Sequence, residues 1–214
     1  SWHGLTGWGV QHDWEAFDAP SGMVRLRGAE DCVFQDCQFV NSGSTGLRLD
    51  LHAQRNRVQG CQFAHLGGVG VFLCGYGPGA KDVNRENEIV DNYIHHIGET
   101  YWASPGIFAW QSGSNRIAHN TLHDTPYTAV VVTARAGLAP TPSTRECSAS
   151  IRNHEIKDEQ RGNWWQREPL LHGRLNIVEY NDIFRVMRIL GDGNGIYVSG
   201  AGKGNRVQYN YVHD

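Results

Sequence analysis

The 214-residue sequence lacks three features that would place it in common functional classes. The sequence has no excess of positive charge. Its net charge is −3 and it contains no basic block, so we expect no nucleic-acid partner. No run of about 18 apolar residues occurs, so we expect no membrane span. The amino terminus shows neither a signal peptide nor an initiating Met, and we expect the chain to be an internal portion of a longer protein.

Cysteine, lysine and helical periodicity are also sparse. The five Cys residues are odd in number and lack the spacing of a disulfide framework. Only 3 of the 19 basic residues are Lys, and Arg offers a rigid donor fork suited to carboxylates and hydroxylated ligands. No period of 3.6 residues lasts long enough to predict a helix. Glycine, by contrast, is abundant at 26 residues, which indicates many tight turns.

One motif, N-x-[IV]-x-x-N-x-[IVL]-H-[HD], recurs along the chain. Full copies lie in residues 86–96, 114–124 and 204–214, and weaker copies begin at Cys32, Asn56 and Asn176. A short apolar strand follows most copies, and the shortest repeat is 24 residues long. Short strands that repeat at this period without intervening helices are typical of a solenoid.

This pattern predicts an all-β, right-handed parallel β-helix of about six coils, forming a single domain over residues 1–214. Equivalent residues then stack about 4.8 Å apart. We expect asparagine ladders, made of Asn87, Asn92, Asn115, Asn120, Asn181, Asn205 and Asn210. We also expect inward aliphatic columns, and we expect Cys32, Cys37 and Cys61 to fill ladder positions as free thiols.

Insertions interrupt the repeat at residues 74–86, 97–105 and 185–194, and residues 133–175 predict an inserted lobe or long loop. Stacked turns after the second Asn predict a polar stripe beside these insertions. Carboxylates, His and Arg bind hydroxyl groups and aromatic rings stack on sugars, so the stripe predicts a groove for a polysaccharide or oligosaccharide. Its candidate substrate-binding residues are His95, His96, Glu99, Trp102, Trp110, His123, Asp124, Tyr127 and Arg188. Each could instead have a structural role, by capping backbone or by packing.

Residues 176–200 and 204–214 resemble right-handed β-helix proteins of bacterial polysaccharide degradation, most nearly glycoside hydrolase families 141 and 120. The more specific element is Asp-Gly-x-[GA]-Ile-Tyr, from Asp192 to Tyr197. The resemblance implies a retaining glycoside hydrolase for plant or algal polysaccharides, with Asp192 and Asp214 as catalytic carboxylates and no cofactor. A one-coil offset of about 4.8 Å would suit the carboxyl separation of about 5–5.5 Å that retaining enzymes use.

Two other functions stay open on the sequence alone. A polysaccharide lyase would need a base, often Arg or Lys, and commonly uses Ca²⁺, for which Asp82, Glu86 and Glu88 form a possible acidic cluster. A non-catalytic glycan-binding solenoid is the third reading. We expect no other metal site, because strands give His95-His96 or His119 and His123 no fixed helical spacing. A polysaccharide substrate implies that the parent protein is secreted or periplasmic.

Overall fold

The strands wind into three parallel sheets. A computed structural model describes residues 22–75, 81–134, 157, 159 and 164–214. The first sheet contains β1 (Val24–Glu30), β4 (Leu47–Gln54), β7 (Val71–Cys74), β11 (Ile107–Trp110), β14 (Val130–Thr133) and β17 (Ile196–Ser199), with β8 (Asn84–Arg85) paired to β4. The second contains β2 (Val33–Gln35), β5 (Arg57–Gln59), β9 (Glu88–Val90), β12 (Arg116–Ala118), β15 (Ile177–Glu179) and β18 (Arg206–Gln208). The third contains β3 (Gln38–Ser42), β6 (Gln62–Leu66), β10 (Tyr93–His95), β13 (Thr121–His123), β16 (Asp182–Phe184) and β19 (Tyr211–His213).

Each coil contributes one strand to each sheet, which confirms the prediction of a parallel β-helix with about six coils. Strands that are one coil apart pair in parallel, as in Ile94 with Leu122 and Leu122 with Ile183, and the pairing of β1 with β4 contains a register shift between Arg27 and Ala29. The described part of the chain also contains a short helix α1 (Trp164–Arg167) followed by a 3₁₀ turn at Glu168–Leu170. Most of the predicted lobe at 133–175 lies outside the described residues, so that prediction stays open.

The coils turn sharply because their corner residues adopt left-handed backbone angles. Between the second and third sheets the corner position has positive φ in every coil, at Asp36, Gly60, Asp91, His119, Tyr180 and Tyr209. Asp and His tolerate this region better than most residues. A left-handed residue bends the chain sharply within one position, so only two residues separate each strand of the second sheet from the next strand of the third.

Two asparagine ladders run along the coils, as the repeat predicts. One follows the corner between the first and second sheets, and the other follows the corner between the second and third sheets. In the first, the side-chain oxygen of each Asn accepts from the backbone N–H of the previous one, from Asn56 through Asn87, Asn115 and Asn176 to Asn205. In the second, Asn92, Asn120, Asn181 and Asn210 are linked in the same way at 3.0 Å. Their amide groups also donate to carbonyl oxygens of the neighbouring coils, so the ladders satisfy buried polar groups that the turns would otherwise leave unpaired.

Cysteines occupy the ladder positions at which Asn is absent. The backbone N–H of Cys32 donates to Asn56, and that of Cys61 donates to Asn92. Cys32, Cys37, Cys61 and Cys74 are free thiols, which confirms the prediction for the three ladder cysteines. Burial raises the pKa of the Cys61 thiol.

The core lies inside the three sheets and consists of the predicted aliphatic columns. One column joins Val58, Ile89, Ile117 and Val178, all buried. A second joins Phe39, Phe63, Ile94, Leu122 and Ile183, in which the two phenylalanine rings stack with centroids 4.7 Å apart. Val207 and Val212 continue these columns in the last coil but are half-exposed, because no described coil lies beyond them.

The ladders predict a specific stability cost. Replacing Asn120 with Ala removes the bonds that its side-chain amide donates to Asn181 Oδ1 and to the Ile89 carbonyl, and it leaves the Asn92 N–H without its acceptor. We expect the free energy of unfolding, measured by urea titration, to fall by about 1–3 kcal/mol. Asn194→Ala, at an exposed Asn outside both ladders, should change it by less than about 0.5 kcal/mol. Equal losses in the two variants would contradict the role of the ladder.

Candidate functional site

An open cleft of about 470 Å³ lies along one corner of the β-helix, where strands of the third sheet end. Its walls come from the corner residues His96 and Asp124 and from insertions that follow β10 and β16. Five of the residues predicted to bind substrate line it together, namely His96, Glu99, Trp102, Asp124 and Arg188. The structure therefore brings together side chains that are up to 92 positions apart in the sequence.

The corner itself is a column of left-handed residues. The column contains His65, which lies within β6, and four residues that each follow a strand of the third sheet, namely His96, Asp124, Arg185 and Asp214. All five have positive φ. Parallel pairing stacks these positions on successive coils, so their side chains form the polar stripe that the repeat predicts.

Asp124 is the most strongly bonded carboxylate in the cleft. His123 Nδ1 lies 2.7 Å from Asp124 Oδ2, and the Arg185 guanidinium donates to the same oxygen at 2.6 Å. Arg188 donates to Oδ1 at 3.3 Å. Burial pushes the pKa of Asp124 upward, but the bonds from His123 and Arg185 outweigh it and hold the pKa below the ordinary aspartate value. The carboxylate is therefore ionised at neutral pH.

Imidazole rings crowd the coil beside Asp124. His95 Nδ1 lies 2.9 Å from His96 Nδ1, and His65 Nδ1 lies 3.1 Å from Glu99 Oε1. The His95 ring stacks on His123 with centroids 5.1 Å apart. Burial lowers the pKa of His95, and the neighbouring His123, His96 and His65 lower it further, so this ring is neutral at neutral pH.

The stack continues along the outer face of the third sheet, where parallel register places aromatic rings above one another. His123 stacks on Phe184 at 4.7 Å, and Phe184 stacks on His213 at 5.2 Å. His123 is buried by these neighbours, and its Nε2 lies 2.8 Å from the Tyr93 hydroxyl. His95 and His123 therefore contact residues of the cleft but do not line it themselves.

The predicted aromatic residues have different positions. Trp102 is half-buried and lines the cleft. Trp110 is only 3% exposed and packs with Phe72, Phe108 and Ala103 on the outer face of the first sheet. Trp110 therefore belongs to a buried cluster and is not among the residues that line the cleft, and its role in sugar binding stays a prediction. Tyr127 is 8% exposed, and its pKa is raised by burial and then by the nearby charge of Asp192.

The structure also corrects the register assumed for Asp192 and Asp214. Phe184 pairs with His213, so the residue one coil before Asp214 is Arg185. Asp192 is exposed and lies in the insertion that leads to β17. The two carboxylates therefore do not occupy one position on successive coils. Their catalytic roles, which the resemblance implies, stay a prediction.

Arg185 is the main cleft-flanking residue missing from the predicted set. It pairs with Asp124 and occupies the same corner position as His96 and Asp124. The stacking of the corner residues could have identified Arg185 from the sequence, because every residue of this column projects into the same stripe.

The acidic residues considered for Ca²⁺ do not assemble into a site. Asp82 pairs with Arg174 at 2.9 Å, Glu88 with Arg57 at 3.2 Å, and Glu86 lies 3.7 Å from Arg85. Among the described residues, the group of His, Asp or Glu side chains close enough to share one metal ion contains none of these three.

The fold and cleft define a parallel β-helix with an open, polar groove on its flank. The family model described as "Right handed beta helix region" matches residues 19–144, more than half of the chain, and the chain belongs to this family. No curated protein matches the sequence.

A solved structure named "Glycoside hydrolase" is similar to this chain, with a TM-score of 0.62 and 22% sequence identity. The similarity covers 91% of this chain and 31% of the other, so the chain spans about a third of that protein. This likeness supports the β-helix fold. In the part of the chain that is described, no helix has the length and apolar character needed to span a membrane.

The two tryptophans near the cleft predict different effects on stability. Trp110→Ala should lower the free energy of unfolding by about 3–5 kcal/mol, because it empties a buried cluster. Trp102→Ala should cost less, because its ring is half-buried at the cleft. Urea unfolding of both variants measures the difference, and equal losses would contradict the assignment of Trp110 to packing.

Proposed function

We propose that this β-helix is carbohydrate-active and that the corner cleft binds and hydrolyses a polysaccharide or oligosaccharide. The observation that carries the proposal is the content of the cleft: carboxylates Asp124 and Glu99, the indole of Trp102 and the guanidinium of Arg188. Charged groups accept from or donate to sugar hydroxyls, and an aromatic ring packs against the apolar face of a sugar. The similarity to a protein named glycoside hydrolase supports the same class of substrate.

Asp124 is suited to act as the nucleophile or the general base, because either role requires an ionised carboxylate. The bonds from His123 and Arg185 supply that state and fix the orientation of the carboxylate. Glu99 lines the same cleft from the neighbouring insertion and is half-exposed. We assign it the role of the second carboxylate, the proton donor to the leaving sugar.

The proposal places the parent protein outside the cytoplasm, where polysaccharides of plants or algae are met. The pair Asp192 and Asp214, implied by the family resemblance, is the competing assignment for the catalytic carboxylates. Asp192 lies near Tyr127 at the edge of the first sheet, and Asp214 is bonded to His213 at 3.1 Å. Both pairs make the same prediction about reaction class, so single variants separate them.

Asp124→Asn should reduce hydrolysis by at least about 100-fold, because the amide cannot act as base or nucleophile. The assay measures reducing ends released from a panel of plant and algal polysaccharides. Asn also tolerates the left-handed backbone at this position. The matched control is Asp91→Asn, which changes an exposed left-handed Asp of the same repeat at a corner outside the cleft.

The outcomes of this assay separate the candidate functions. Loss in Asp124→Asn with normal activity in Asp91→Asn supports the proposal, whereas loss in Asp192→Asn alone selects the other pair. An unsaturated, ultraviolet-absorbing product that disappears with a chelator would show a lyase. Glycan binding without turnover would show a non-catalytic binding solenoid. The absence of both binding and turnover would refute a carbohydrate function for the chain.

Arg185 gives a separate prediction about pH. As the ionised group, Asp124 loses function when the pH falls through its pKa, which Arg185 helps to keep low. Arg185→Ala removes that bond and raises the pKa of Asp124, so the acidic limb of the activity profile should move to higher pH. Arg116→Ala is the control, because Arg116 pairs with Glu179 away from the cleft. An unmoved limb would exclude Asp124 as the group that titrates.

A further inference from the structure

Stacking of two coils brings three metal-ligand side chains to one point of the corner. One ligand atom from each of His96, His123 and Asp124 lies within 4.8 Å of the others. His96 ends one coil of the repeat, and His123 and Asp124 end the next. The sequence spacing within a single strand indicated no metal site, whereas the pairing of β10 with β13 joins ligands from two coils.

We propose that His96, His123 and Asp124 bind one divalent transition-metal ion, of the class represented by Zn²⁺. Two imidazoles and one carboxylate are a donor set that suits such ions and does not suit Ca²⁺ or Mg²⁺, which prefer all-oxygen ligands. Tetrahedral ligands of Zn²⁺ lie roughly 3.4 Å apart. The exposed His96 closes the remaining distance by turning about its own side-chain bonds.

The surroundings of the ligands fit this role. In metal sites the second nitrogen of a ligating His is held by an outer partner, which orients the ring. His123 Nε2 has such a partner in the Tyr93 hydroxyl at 2.8 Å, while its Nδ1 faces Asp124. His96 is contacted by His95 at 2.9 Å between the two Nδ1 atoms. The partner of His123 lies on the neighbouring strand β10, and the partner of His96 directly precedes it in the chain.

A metal ion at this site would compete with two arginines for the Asp124 carboxylate. Arg185 and Arg188 bond to the carboxylate, and their side chains are 48% and 55% exposed. Both can turn into solvent when an ion takes the carboxylate oxygens, and this cost sets the affinity below that of a closed structural site. Three protein ligands also leave a fourth position that opens to the cleft, where water or a sugar hydroxyl can bind.

The test is metal binding by the 214-residue chain in the absence of any carbohydrate. Zn²⁺ is titrated calorimetrically, with a chromophoric chelator as competitor, against the wild type, His96→Asn and His119→Asn. His119 is the matched control, because it is also an exposed His with left-handed backbone in the same repeat, stacked on Tyr180 outside the cluster. Asn preserves the backbone preference in both variants.

We expect wild-type affinity for Zn²⁺ to be retained in His119→Asn and to fall at least about 100-fold in His96→Asn, since one of three ligands is lost. Asp124→Asn should weaken binding in the same direction, and Ca²⁺ should not compete. No Zn²⁺ binding by the wild type, or equal binding by His96→Asn, would overturn the proposal. Because no hydrolysis is measured, either result leaves the glycosidase proposal to be decided by its own assay.

Discussion

The asparagine ladders are the interaction on which the rest of the structure depends. A coil of short strands exposes backbone groups at every corner, and buried groups without partners cost about 1–3 kcal/mol each. The side-chain oxygen of each ladder Asn accepts from the backbone N–H of the previous Asn in the ladder, and its amide donates to carbonyl oxygens of the neighbouring coils. This arrangement satisfies the turns at one fixed spacing, so each coil must stack directly upon the last, and register is set along the whole helix.

Fixed register makes the outside of the corner a place where side chains can vary freely. The residue at that position needs only to tolerate a left-handed backbone, and His65, His96, Asp124, Arg185 and Asp214 all do so. Their side chains lie one above another. Insertions on two of the coils form the sides of the adjoining cleft. Polar side chains can thus differ from coil to coil at positions that the core does not constrain.

The repeat made the coils, the ladders and the aliphatic columns predictable, because each is a direct consequence of residues recurring at one position. The cleft was predictable only in part. Trp110 alternates with core residues in β11, and nothing in the strand itself shows that its side chain is buried in a cluster with Phe72 and Phe108. Asp192 and Asp214 were misaligned because the insertion after β16 separates Asp192 from the repeat, and counting residues through it loses the register.

If both proposals hold, the electrostatics of Asp124 explain how one corner position serves a sugar and a metal ion. His123, Arg185 and Arg188 come from two coils and share a single carboxylate, so the charge of Asp124 is fixed while its partners remain replaceable. The arginines are half-exposed and His123 is buried, so the rigid partner is the imidazole and the exchangeable partners are the guanidinium groups. A sugar hydroxyl that reaches Asp124 would compete with the arginines, because the ring stack on Phe184 holds His123 in place. The proposed metal ion would in addition replace the hydrogen bond between His123 Nδ1 and Asp124.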